Sequence, residues 1–99
     1  MIEQAVEAEP DNAAYRDSLG WAYYRLGRFD DAVRELKIAT AGDDPDGVIL
    51  DHLGDALLGQ NQPAQAVGVW EQALAAFRQA EQNDRLEAVE AKIKKHRQE

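Results

Sequence analysis

The chain has 99 residues, 44% of them hydrophobic, no cysteine, and a formal net charge of −8. That length fits one domain with a modest core, and the missing cysteines exclude disulfide scaffolds, thiol catalysis and zinc–thiolate sites. No apolar run is long enough to span a bilayer or reads as a signal peptide. Residues 1–84 hold sixteen Asp/Glu against six Lys/Arg, a body that repels phosphate backbones and disfavours nucleic acid as a partner.

Residues 1–8 have helix-forming composition, with Ile2, Ala5 and Val6 on one stripe. Pro10-Asp11-Asn12 ends that segment, and Asp11 or Asn12 is placed to cap the next helix. The spacing predicts that helix over 13–26, with Tyr15, Leu19, Ala22, Tyr23 and Leu26 inward. Gly27 follows where a left-handed C-cap is wanted. A second helix is predicted over 29–41, with Phe29, Ala32, Val33, Leu36 and Ala39 as its buried stripe. Asp30 and Asp31 fall in its first turn, facing the helix dipole.

Residues 42–47, GDDPDG, are turn chemistry, and Asp46 is the expected cap. A third helix is predicted over 48–59, with Ile49, Leu50, Leu53, Ala56 and Leu57 inward. Asn61-Gln62 closes it, and Pro63 opens the next helix at a first position that suits its fixed φ and missing N–H. That helix buries Val67, Trp70, Ala73, Leu74 and Phe77. Asn83-Asp84 can cap a last helix over 85–97, with Leu86, Val89 and Ile93 inward. Residues 85–99 hold five Lys/Arg against three Glu. Lys92, Lys94, Lys95 and Arg97 read first as cations complementing a helix C-terminus, and second as a contact for an acidic surface.

The chain repeats itself at a period of 34. Residues 13–46 laid over 47–80 match at Asp17, Leu19, Gly20, Ala22, Ala32, Val33, Ala39 and Ala41 without a gap. A fixed period of this length indicates stacked copies of one supersecondary unit. Gly20 and Gly54 fall mid-helix in both copies, where Gly costs about 1 kcal/mol relative to Ala. Bearing that cost twice points to a close helix–helix approach at each, with Ala32, Ala39, Ala66 and Ala73 as the expected small faces opposite.

These residues resemble a tetratricopeptide repeat, whose pattern sets Leu-Gly three positions after a large residue, then an aromatic, then Ala and a large residue four on. The chain reads Arg16-x-x-Leu19-Gly20-x-x-Tyr23 with Ala32-x-x-x-Leu36, and Leu50-x-x-Leu53-Gly54-x-x-Leu57 with Ala66-x-x-x-Trp70. It departs at the first slot, Arg16 and Leu50 standing for the family's aromatic, and the closing proline is shifted to Pro45 and missing near Arg78. The resemblance implies an all-α right-handed superhelix of antiparallel hairpins, an α-solenoid ended by a capping helix. The expected organisation is a single domain over 1–99: residues 1–10 as the second helix of a truncated repeat, repeats over 13–46 and 47–80, and a capping helix over 84–98. Pro10 stands where the family's closing proline belongs, so the chain reads as a C-terminal piece of a longer array. The wording LGWAYYRLGRFDDAV resembles bacterial members, including envelope-associated ones, so cytoplasmic and periplasmic settings both stay open.

The resemblance implies a protein–protein interaction scaffold and no enzyme. In this family the first helix of each pair lines the concave face. The positions left after the core stripe are Asp17, Trp21, Tyr24 and Arg25, then Val48, Asp51, Asp55 and Leu58. Asp17, Trp21, Tyr24, Arg25, Asp51 and Asp55 are therefore the expected partner-binding residues, a face suited to a basic or amphipathic protein or peptide. Trp21 reads equally as an interface anchor and as packing for a preceding helix. Trp70 reads as core. One subclass grips a C-terminal carboxylate with Lys, Asn and Arg; the matching positions here hold Asp17, Trp21, His52, Gln82 and Leu86, which lack that chemistry. His52 and Asp55 have a metal-compatible spacing, but Asp43, Asp44 and Asp46 miss a calcium loop and no motif calls for a metal or cofactor. A second reading is self-association as a homodimer through exposed terminal helices near Ile2 and Val6.

Overall fold

The computed structural model describes residues 12–97. Helices α1 (Ala13–Arg25), α2 (Phe29–Ala39), α3 (Gly47–Gly59), α4 (Pro63–Gln79) and α5 (Leu86–His96) follow one another, with a 3₁₀ turn, Asn83–Arg85, before the last. The expected helix over 1–8 lies outside the described residues. Among those described there is no strand, and no helix is long and apolar enough to cross a membrane.

Each helix starts and stops for local reasons. The Asn12 side chain accepts from Tyr15 N–H, and Asp46 accepts from the N–H groups of Val48 and Ile49, satisfying donors that a helix N-terminus leaves open. Pro63 takes the first turn of α4. Three helices end alike. Arg28 N–H donates to Tyr23 O, Gln62 N–H to Leu57 O and Gln82 N–H to Phe77 O. The residue before each donor is left-handed: Gly27 (φ 78°), Asn61 (φ 64°) and Glu81 (φ 60°). This is the Schellman closure. Gly27 and Asn61 are legible in the sequence, and Glu81 is not, because a glutamate seldom adopts that conformation. The last helix begins later than Asn83-Asp84 suggested: those residues form the 3₁₀ turn, and no side chain caps α5.

The helices pack as antiparallel neighbours, α1 on α2 and α3 on α4, with α2 against α3 and α5 against α4. One core runs through them from Ala32, Val33 and Leu36 to Val89 and Ile93. The expected stripes of α3 and α4 are buried throughout. In α1 only Leu19 and Gly20 are buried, while Tyr15 is 37% and Leu26 72% exposed. The reason is geometric: among the described residues no helix covers the far side of α1.

The mid-helix glycines do mark close approaches, chiefly against a large residue of the partner helix, with the Ala32 carbonyl also 3.4 Å from a Cβ placed on Gly20. A Cβ on Gly20 would stand 2.7 Å from Leu36 Cγ, and one on Gly54 would overlap Nε1 and Cδ1 of Trp70. Ala32, Ala66 and Ala73 are fully buried nearby; the large residue of the partner helix lies over each glycine.

Candidate functional site

Helices α1 and α3 lie side by side, and their exposed sides carry a row of rings. Trp21 stacks on Tyr24 with centroids 4.7 Å apart and planes 11° apart. Trp21 also stacks on His52, at 4.2 Å. Tyr24 meets Phe29 edge-on at 5.5 Å. The order Phe29, Tyr24, Trp21, His52 thus runs from the first hairpin turn onto α3. Trp21 and Tyr24 stand one turn apart on α1, which sets the first stack. The close lie of α1 and α3 sets the second.

The carboxylates beside this row all have basic neighbours. Asp17 Oδ1 lies 2.8 Å from His52 Nδ1, a spacing at which the ring N–H donates to the carboxylate. Lys92, from α5, donates to Asp51 Oδ1 at 2.9 Å and to Asp55 Oδ1 at 3.1 Å. Asp51 and Asp55 are one turn apart on α3, so one ammonium reaches both. Burial raises the Asp55 carboxyl above the ordinary range, against the pull of Lys92. Burial also opposes the charge on Lys92, but its bond to Asp51 and the charge of Asp55 outweigh it and leave Lys92 raised. The Trp70 ring lies 5.9 Å from the Lys92 nitrogen, and its own N–H donates to Asp51 O.

Of the six expected residues, Asp17, Trp21 and Tyr24 come together around His52, and Asp51 and Asp55 around Lys92. Arg25 is exposed at the end of α1 and makes no hydrogen bond or ion pair with any of them. Sequence reasoning missed His52 as a member of the ring row and Lys92 as the partner of the α3 aspartates. The register held the first signal, since His52 follows Asp51 on a helix already read as lining the face. Lys92 gave less, because its role depends on how α5 docks. His52 and Asp55 do not converge on a shared ion; one faces Asp17 and the other Lys92.

This arrangement offers aromatic edges, hydrogen-bond acceptors and a local surplus of carboxylate. It suits recognition of another polypeptide, since aromatic anchors beside polar groups dominate such surfaces. The family model for the tetratricopeptide repeat matches residues 1–47 and 53–93. The chain belongs to this family. Tetratricopeptide repeats generally mediate protein–protein interaction and are typically non-enzymatic. The solution structure of protein BPP2914 from Bordetella parapertussis is similar at a TM-score of 0.79 and 28% identity, over 95% of this chain and 82% of that one. No curated protein matches the chain.

Proposed function

We propose that this tetratricopeptide chain is an adaptor segment that binds a basic or amphipathic peptide or helix on the concave face lined by α1 and α3. The observation that carries this is the half-exposed row Tyr24–Trp21–His52 with Asp17, Asp51 and Asp55 beside it. Stacking on two rings holds Trp21 in one orientation before any partner arrives, which lowers the ordering cost of binding. The carboxylates supply charge complementarity to a cationic partner. We read residues 13–46 and 47–80 as the two repeats and α5, shorter than the expected 84–98, as the helix that ends the stack.

The test is binding of a labelled 18-residue amphipathic helix of leucine and lysine, against the same helix with glutamate for lysine. The lysine form binds and the glutamate form does not. Trp21→Ala weakens binding by about tenfold or more, as truncation of an interface anchor does. Equal binding of both peptides, or no effect of Trp21→Ala, removes the proposal.

A second reading, self-association, is favoured by Leu26 at 72% and Ile38 at 47% exposure on the first hairpin. Light scattering with size exclusion across a concentration series decides it. A mass that rises with concentration and falls back in Leu26→Glu supports a dimer; a constant monomer mass ends that reading.

A further inference from the structure

Asp51, Asp55 and the Trp70 ring surround a single ammonium. Two carboxylates one turn apart accept from Lys92 Nζ at 2.9 and 3.1 Å, and an indole face lies within cation–π range. Two acceptors and an aromatic wall are what a primary ammonium needs from a receptor.

The present occupant is not what seats its helix. Val89 and Ile93 are 1% and 6% exposed and carry α5 against α4. Lys92 keeps 35% of its side chain in solvent, so its head can swing into water while the helix stays docked. Two carboxylates against one ammonium also leave a negative charge uncompensated, and Asp17 stands one turn of the solenoid away on the same face. A second ammonium arriving here meets an attractive field, and makes the bonds that Lys92 gives up. Since partly exposed ion pairs are worth little net, that exchange is close to isoenergetic. The remaining contacts of the partner then decide the outcome.

We propose that Asp51, Asp55 and the Trp70 ring form a receptor for a lysine ammonium of the bound partner, and that Lys92 is a built-in competitor that fills it in the unbound chain. This rests on the reading of the α1–α3 face as a docking surface for a basic segment. Its consequence is a conformational tax on affinity: the partner binds in proportion to the fraction of molecules with Lys92 withdrawn.

The probe is the leucine–lysine helix, titrated against the full chain and two variants. Lys92→Met removes the competitor and keeps an apolar stem. Lys95→Met removes the same charge from an exposed position three residues on in α5. Lys92→Met tightens binding about fivefold, which is a partly exposed ion pair of ~1 kcal/mol converted to an equilibrium constant, and Lys95→Met leaves it within twofold. Equal gains in both variants mean that only bulk charge is sensed and overturn the inference. So does an unchanged affinity in Lys92→Met. Weaker binding in Lys92→Met, with a lowered melting temperature, makes Lys92 a strut rather than a competitor and also overturns it. If binding is present and Trp21-dependent in these cases, the docking face survives and only the receptor fails. If neither the wild-type chain nor either variant binds, the docking face and the receptor fall together.

Discussion

The hairpins α1–α2 and α3–α4 share a backbone plan and fill it differently. At matched positions 34 residues apart, Gly20 lies under Leu36 and Gly54 under Trp70. Both large residues are fully buried. Arg16 and Glu35, paired at 2.6 Å in the first hairpin, correspond to Leu50 and Val69 in the second. Asp17 and Asp51 occupy one slot, and each pairs with a basic group on a later helix, His52 on α3 and Lys92 on α5. The positions that repeat are those that set helix spacing. The positions that differ fill the core by other means or face outward. The geometry therefore tolerates wide exchange of core chemistry, provided that a glycine keeps the two helices of each hairpin close.

The largest test of that view is the residue over each glycine. Trp70→Ala empties a larger space than Leu36→Ala and orphans the bond to Asp51 O. It costs about 4 kcal/mol, against about 3 for Leu36→Ala, from the known range for large-to-small core changes. For a domain of this size about 4 kcal/mol is a large part of the total stability. Urea unfolding followed by circular dichroism reads both values. A greater loss at Leu36 breaks the comparison, for it places the weight of the core in the first hairpin.

The buried pair comes next. Arg16→Leu alone removes the closer of two cations from Glu35, which is 6% exposed and keeps Arg34 at 3.3 Å. Its cost is about 3 kcal/mol, the low end for breaking a buried pair. The double change Arg16→Leu with Glu35→Val copies the second hairpin and recovers most of that loss, since apolar replacement of a buried pair is often neutral or better. If the double variant is as unstable as the single one, the two hairpins are not interchangeable at this slot.

The glycines themselves separate the hairpins more finely. Ala at position 54 pushes three atoms of a rigid, fully buried indole. The overpacking outweighs the better helix propensity of Ala, for a net loss of about 2 kcal/mol. Ala at position 20 also forces a shift, since its Cβ would stand 2.7 Å from Cγ of the fully buried Leu36, but the overlap is smaller than at position 54 and the net loss is about 1 kcal/mol. Thermal melts of the two variants under one set of conditions check the contrast.

How much of this was legible depends on the range of the interaction. Caps at Asn12 and Asp46, the stop at Gly27 and the start at Pro63 depend on a few adjacent residues, and each reads directly from residue type. The apolar stripes of α3 and α4 read from periodicity, because helices pack on both of their sides. The same rule overcounted α1, where Tyr15 and Leu26 belong to a stripe that nothing described here covers. The glycines announced a close approach, yet the filler came from a residue one turn beyond the alanine, which depends on side-chain direction rather than spacing. At the candidate site, the ring pair Trp21–Tyr24 read from i, i+3 spacing on one helix. The His52 stack and the Lys92 bridge did not, since each joins helices far apart in sequence and depends on their lateral placement.

The smallest expected effect concerns the two matched aspartates and their partners. Lys92 is raised above the ordinary lysine range, so it binds its proton more tightly in the folded chain. Its contribution to stability is then fully present below the unfolded value of about 10.4, and is lost as pH rises through the higher folded value. Asp55 has the opposite sense from a typical salt-bridged carboxylate. Its raised value means that ionisation costs stability at neutral pH, and acidification through the carboxylate range relieves that cost. Lys92→Met therefore destabilises by about 1 kcal/mol or less at neutral pH, given the partial exposure of the pair. The gap to wild type closes as the pH is taken above about 10.4. Chemical denaturation at pH 7, 9 and 11 follows it. No gap at any pH means that Lys92 acts through its hydrocarbon stem, which methionine keeps. Helix α5 would then be held against α4 by packing around Val89 and Ile93, and the ammonium would be free to leave without loss.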